Sequence, residues 1–381
     1  MPSIPHITMS TPRKVLSWCL FPITMWYAVG VAFRNFFFTI GLKKTTAPHV
    51  TTIGIGNLTC GGTGKTPHTE YLIRLLQQQY RVAYVSRGYR RSSKGFMMCE
   101  GEPDAALLGD EAAMVARKFP GIIVAVCEKR VQAVNRLMAL PADQAPQVIL
   151  LDDAYQHRYI KPSCNILLTD YNHPFYKDHI LPFGDLREFR DGKDRANIII
   201  VTKVPGSLNP IVRHNILMDL GTQPYQKIFF SSIEFGTPYK ALSPRTEQQG
   251  DSTILQTTDH FMVVTGVVHP ESLTQYLKQY GAVTERCFGD HHVFSILELQ
   301  QLRKDFDAIA AGNKIIVTTE KDLARLTTQQ RDELQGLPLY VMPVSVKMQN
   351  SPDFDFDAII LSHVKENNFF LDKLATTKLS F

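Results

Sequence analysis

Two short stretches of this chain carry the residue types that phosphate chemistry needs. The first is Gly56-Asn-Leu-Thr-Cys-Gly-Gly-Thr-Gly-Lys-Thr-Pro67. Its glycines let consecutive backbone N–H groups curl around an anion, and a helix opening at Lys65 adds the positive end of its dipole. Lys65 has the reach for the β- and γ-phosphates of a nucleotide, and the Thr66 hydroxyl is a ligand Mg²⁺ accepts beside them. Thr59, Cys60, Gly61, Gly62, Thr63, Gly64, Lys65 and Thr66 are the expected nucleotide site. The second stretch, Val148-Ile-Leu-Leu-Asp-Asp153, ends an apolar run on two carboxylates. At the end of a strand parallel to the one before the loop, Asp152 and Asp153 would stand beside the Mg²⁺ held by Thr66.

The loop departs from the strict pattern G-x-x-x-x-G-K-[ST], because Thr59 stands where the first glycine belongs. Its spacing instead matches a variant loop of ATPases that carries a lysine at the position of Cys60. A thiol cannot play that part.

Positioning these groups requires a strand, a turn and a helix in succession. Thr51, Thr52, Ile53 and Ile55 make a β-branched apolar run before the glycines, and Tyr71, Leu72, Leu75 and Leu76 recur at helical spacing after them. Pro67 is tolerated where first-turn N–H groups have no intrahelical partner. Further apolar strands are expected at 81–86, 122–126, 165–170 and 198–203. The Ser86-Arg-Gly-Tyr-Arg-Arg91 turn lies at a strand's C-terminal end, the ligand side of open α/β sheets. Asp110 and Glu111 open a helix, where acidic residues suit the dipole. The charged loop 171–197 is long enough to be functional or disordered. After a strand at 228–235 and a polar run, a second alternation follows: strands 261–268, 283–288, 314–318 and 339–344, and helices 270–280, 296–311 and 322–334. The pattern predicts an α/β protein with mostly parallel sheets, helices on both faces and a smaller C-terminal α/β unit. The expected division is an N-terminal helix at 1–45, a nucleotide-binding domain at 46–242, a linker at 243–260 and a C-terminal domain at 261–381.

A chain of 381 residues with 44% hydrophobic and 20% charged residues is globular and long enough for two cores. Its net charge of +5 suits an acidic substrate or an anionic membrane surface, and falls short of the basic stripe of a nucleic-acid binder. Six scattered cysteines with no C-x-x-C pair fit a reducing compartment and argue against a zinc site or a disulfide framework. The N-terminus is the exception to a soluble composition. No residue from 15 to 33 is charged, both tryptophans (Trp18 and Trp26) lie there, and Arg13, Lys14, Arg34, Lys43 and Lys44 flank it. Three readings are open: a helix lying in a membrane surface, a spanning anchor with Pro22 and Gly30 as interruptions, or a buried core helix.

The motifs together resemble one family, the tetraacyldisaccharide 4′-kinases of lipid A biosynthesis. The resemblance rests on the Gly56–Pro67 loop, Ser86-Arg-Gly-Tyr89, Gly109-Asp-Glu111, Asp152-Asp-x-x-Gln-His-Arg158, Leu181-Pro-x-Gly-x-Leu-Arg-Glu188, Asp290-His291 and Thr319-Glu-Lys-Asp322, in the family's order over nearly the whole chain. Tyr155 stands where Phe is common and Phe189 where Pro is common. The turn after Ser-Arg-Gly-Tyr carries Arg90 and Arg91, and none of these departures falls on a residue assigned to chemistry.

The resemblance implies a P-loop NTPase core that uses ATP and Mg²⁺ to phosphorylate the 4′-hydroxyl of a lipid-linked glucosamine disaccharide 1-phosphate, giving lipid IVA. It implies a peripheral or monotopic enzyme on the cytoplasmic face of a Gram-negative inner membrane, with no nucleic acid and no obligate protein partner. By the same resemblance Asp110 is the proton acceptor, oriented by His291. Thr66, Asp152, Asp153 and Glu188 hold Mg²⁺ directly or through water. Arg87, Gln156, His157 and Arg187 contact substrate phosphate and sugar. The rivals from the residues themselves are a membrane-associated P-loop ATPase coupled to a protein or nucleic-acid partner and a nucleotide-regulated membrane module without catalysis.

Overall fold

The computed structural model describes residues 11–242, 250–267, 270–289, 292–349 and 354–378. Residues 243–249 of the expected linker, together with Asp290 and His291, lie outside the described residues.

Among the described residues, fourteen strands form two sheets. The first eight are β1 (Thr51–Asn57), β2 (Val82–Ser86), β3 (Met97–Met98), β4 (Ile123–Val126), β5 (Val148–Asp152), β6 (Cys164–Asp170), β7 (Ile198–Thr202) and β8 (Lys227–Phe235). The rest are β9 (Tyr239–Lys240), β10 (His260–Thr265), β11 (Ala282–Cys287), β12 (Lys314–Thr319), β13 (Leu339–Met342) and β14 (Val344–Gln349). The first sheet runs β14-β8-β7-β6-β1-β5-β2-β4-β3 and the second β11-β10-β12-β13-β9. Among these strands, the pairings of β14, β3 and β9 are antiparallel and the others parallel.

β1 sits between β5 and β6, with every residue buried. That is why it reads as a continuous apolar and β-branched run rather than an alternation. The pairing Ile55↔Asp152 puts the ends of β1 and β5 side by side, so the glycine loop and the two carboxylates emerge at one edge.

The expected strand 339–344 is two strands in two sheets, parted by Pro343. Proline has no N–H for a ladder, and here the chain changes sheets. The other crossing, between β8 and β9, lies alongside, with Gly236 N donating to Pro343 O at 2.9 Å. The expected helix 322–334 is likewise two helices, Glu320–Arg325 and Thr328–Glu333, because Thr327 caps the second through a capping box.

The expected C-terminal domain 261–381 is corrected at its far end. β14 pairs with β8, and the helix Phe356–Lys378 buries Phe356, Ile360 and Val364 in the core of the first sheet. The smaller unit therefore spans only β9 to β13. In it Met262 and Val264 face one apolar cluster, and Phe261 and Val263 the other, as strand alternation dictates.

The N-terminal helix Thr11–Thr39 continues through Pro22. Tyr27, Val31, Arg34 and Phe38 form one helical stripe against the first unit. Tyr27 donates to Arg187 O at 2.9 Å, Arg34 donates to Gln156 O, and Phe38 packs edge-on to Tyr159. The other faces expose Phe21, Trp26, Phe33 and Phe36, with Trp26 75% exposed, so this is not a core helix. No helix among the described residues is long and apolar enough to cross a membrane.

Candidate active site

Between the two units lies a cleft of about 650 Å³, lined by the glycine loop, Arg87, Asp110, Glu111, Asp152, Asp153, Arg187 and Lys203 on one side and Thr319 to Lys321 on the other. The loop 171–197, expected to be functional or disordered, is ordered and clasps the front of the phosphate loop. Cys60 N donates to Asp185 O at 2.7 Å and Arg187 N to Leu58 O at 2.8 Å.

Gly64 takes a left-handed φ of 85° at the N-cap of the helix Lys65–Leu76 and offers no side-chain cap, so the first N–H groups of that helix are left for a ligand. The Thr63 hydroxyl beside them is buried without a hydrogen-bond partner among the described residues. Uncapped donors and an unpartnered hydroxyl around a glycine turn fit a phosphate chain. Lys65 Nζ lies 3.5 Å from Asp153 Oδ1 and 3.3 Å from Asn57 Oδ1, at the same edge.

Asp152 and Asp153 are neighbours in opposite environments. Asp152 is 1% exposed, accepts from Tyr84 at 2.7 Å and from Asp153 N at 3.0 Å, and burial pushes its carboxyl above the usual range. Burial works on Asp153 in the same sense, but Lys65 and Arg187 outweigh it and hold that carboxyl below the usual range. Arg187 Nη1 stands 3.2 and 3.3 Å from the two Asp153 oxygens. Asp153 also has a φ of 44°, a left-handed backbone for a non-glycine residue. The buried Arg130 supports that turn, donating to the carbonyls of Asp152 at 3.2 Å and Asp153 at 3.5 Å.

Mg²⁺ takes one or two carboxylates and fills its other positions from water and phosphate oxygens. Thr66 and the Asp152–Asp153 pair line the cleft together and match that donor set. Glu188 does not join them. It is 1% exposed, and its Oε1 accepts from Arg195 at 2.7 Å and Gln156 at 3.1 Å, which makes it a structural counter-ion behind the loop. Gln156 is drawn inward as well, donating to Asn57 O at 2.7 Å. His157 is half-buried, and desolvation with the charges of Arg130, Arg34 and Arg87 lowers it to about 4. Neither residue lines the cleft, whereas Arg87 and Arg187 do. Asp110 is in the cleft and accepts from Arg325 Nε at 3.1 Å.

Three residues escape a reading from sequence. Glu111 lines the cleft, and burial followed by the charge of Asp152 raises its carboxyl to about 7. Its place in the Gly-Asp-Glu motif was the available signal, but one helix position decides which carboxylate faces Asp152. Lys203 follows β7 directly and reaches Asp170 at 2.7 Å. Arg325 comes from the second unit, far away in sequence.

The model of the tetraacyldisaccharide-1-P 4′-kinase family matches residues 16–365 of this chain. A tetraacyldisaccharide 4′-kinase of Bacteroides fragilis is 41% identical over 359 residues, covering 93% of this chain and 94% of that protein. One from Flavobacterium johnsoniae is 38% identical over 364 residues, covering 94% and 99%. The crystal structure of LpxK from Aquifex aeolicus in complex with ATP superposes with a TM-score of 0.68 at 25% identity, over 92% of this chain and 99% of that one. A phosphate loop beside paired carboxylates on one wall of a cleft between the two units, in a chain matched over nearly its whole length, places this protein in the tetraacyldisaccharide 4′-kinase family.

Proposed function

We propose that the cleft transfers the γ-phosphate of ATP to the 4′-hydroxyl of a tetraacyl glucosamine disaccharide 1-phosphate, at a membrane surface on the cytoplasmic side of the inner membrane. The observation that carries this reading is one chain of contacts. Tyr27 of the aromatic helix donates to the Arg187 carbonyl, and the Arg187 guanidinium pairs with Asp153 beside Lys65. The helix that exposes Trp26 and Phe33 thus adjoins the loop that closes the phosphate site. A lipid acceptor would enter from that side with its acyl chains along the helix.

A sugar hydroxyl is a poor nucleophile, so alignment and charge neutralisation carry most of the rate. The N–H groups at Gly64 to Thr66 and the Lys65 ammonium would hold the β- and γ-phosphates. Thr66 and Asp153, with Asp152 behind, would hold Mg²⁺, which neutralises charge developing on the phosphate oxygens. Arg187 and Arg87 are placed to steer anionic groups of either substrate. We assign the acceptor proton to Asp110, with His291 as its partner by family resemblance.

The test is transfer of label from γ-labelled ATP to a tetraacyl disaccharide 1-phosphate, with and without Mg²⁺. Labelled lipid is expected only when protein, acceptor and Mg²⁺ are all present. Hydrolysis of ATP at the same rate without acceptor would point instead to an ATPase.

A further inference from the structure

We infer that His68 is a positioning residue for ATP, holding the peptide planes of the phosphate loop so that their N–H groups face the cleft. The inference rests on the phosphoryl-transfer reading above and concerns how this chain builds its nucleotide site.

His68 lies in the first turn of the helix Lys65–Leu76 and is 3% exposed. Its Nδ1 is 2.7 Å from Gly64 O, and its Nε2 is 2.8 Å from Ser231 Oγ on β8. A carbonyl only accepts, so Nδ1 carries the hydrogen and Nε2 accepts from the Ser231 hydroxyl. The ring thereby ties the loop to a strand two places away from β6 in the sheet.

The consequence follows from peptide geometry. In a trans peptide the C=O and the next N–H point in opposite directions. Pulling Gly64 O toward the buried ring therefore turns Lys65 N–H the other way, toward the cleft. Thr202 does the same one residue earlier, donating to Thr63 O at 2.9 Å, which aims Gly64 N–H. Gly64 has a φ of 85° and no Cβ, and a Cβ there would sit 3.4 Å from His68 Nδ1, so the ring rests directly on the bend. A left-handed glycine is free to rotate, and without the imidazole only the helical bond from His68 N, at 3.2 Å, would hold that carbonyl.

The test uses the full-length enzyme in detergent with His68→Ala, His68→Asn and His68→Gln. The amide nitrogen of Asn falls near the position of Nδ1, and that of Gln nearer Nε2. His68→Ala should raise the KM for ATP by roughly fivefold to tenfold, the worth of one buried hydrogen bond, while the KM for the lipid acceptor stays within about twofold. His68→Asn should recover most of the loss and His68→Gln should not. Displacement of a fluorescent ATP analogue without acceptor should give the same order, which keeps this readout independent of whether phosphate reaches the lipid. An unchanged ATP affinity in His68→Ala, a parallel rise in both KM values, or equal recovery by Gln and Asn would overturn the inference. Should His68→Ala not fold, Ser231→Ala decides in its place. It leaves the ring but frees its far side, and a nucleotide affinity equal to wild type would again overturn it.

Discussion

Arg325 of the small unit places Nε 3.1 Å from Asp110 Oδ2 of the large unit, across the mouth of the cleft. The same guanidinium donates to Asp322 Oδ1 at 3.2 Å and Gly266 O at 3.3 Å, and Asp322 is held in turn by Thr265 and Thr319 at 2.8 and 2.7 Å. Lys118 repeats the arrangement nearby, joining Glu70 of the phosphate-loop helix at 2.7 Å to Glu320 at 2.6 Å. The two units are therefore coupled by ion pairs at the cleft, and by backbone at Gly236 and Pro343.

Removing Arg325 leaves Asp322 buried beside no guanidinium. Arg325→Met is expected to lower unfolding stability by about 3 kcal/mol, the low end for a broken buried pair because Asp322 keeps its hydroxyl and backbone donors. Arg325→Lys should fall between, since an ammonium cannot reproduce the fork. Urea unfolding checks both; a midpoint for Arg325→Met equal to wild type would sink the assignment.

Lys65→Ala removes a charge that acts on the transferring phosphoryl group. Turnover should drop by at least about 10²-fold. The melting temperature should hardly move, because the Lys65–Asp153 contact is long at 3.5 Å and Asp153 keeps Arg187. Radiolabel transfer beside a thermal melt gives the comparison, and near-normal transfer would refute the role.

The two acidic positions should separate by their Mg²⁺ dependence. Asp153→Asn is expected to raise the Mg²⁺ concentration needed for half-maximal rate, whereas Asp110→Asn should depress the rate and leave that concentration nearly unchanged. Titrating Mg²⁺ at saturating ATP distinguishes them. The opposite pattern would exchange the proposed roles.

Glu111 gives a pH signature. Its carboxyl titrates at about 7 in the fold against 4.5 when exposed, so the folded state binds the proton more tightly. Stability should therefore fall as pH rises from about 4.5 to about 7 and level off above, by at most about 3.5 kcal/mol at 1.4 kcal/mol per pH unit. Glu111→Gln should abolish this slope, and Mg²⁺ beside Asp152 should flatten it in the wild type. Metal-free unfolding at a series of pH values is the measurement; equal slopes in mutant and wild type would contradict it.

The N-terminal helix docks by one stripe and exposes its aromatics, so surface substitutions test it better than deletion. Trp26→Ser with Phe33→Ser and Phe36→Ser should shift the enzyme off lipid vesicles, since each few hundred Å² of apolar surface is worth several kcal/mol at about 25 cal/mol per Å². High salt alone should leave most wild-type enzyme bound, as only the flanking charges are screened. Vesicle sedimentation reads both. Complete release of the wild type by salt would mean an electrostatic contact.

The sequence by itself determined what is local. The phosphate loop needs a strand, a glycine turn and a helix start in succession, and Val148 to Asp153 is an apolar strand ending in carboxylates wherever it packs. Those signals depend on neighbours in the chain, so they survive without a structure. Which carboxylate does what depends on partners far away in the chain. Glu188 looked like a metal ligand until Arg195 and Gln156 enclosed it, and Asp152 and Asp153 differ because burial prevails at the first while Lys65 and Arg187 outweigh it at the second. Pro343 could be read as a break, but only sheet pairing showed that the chain there crosses from one unit to the other. Burial and charge partnership are properties of packing, and packing brought Asp110 to Arg325, 215 positions apart.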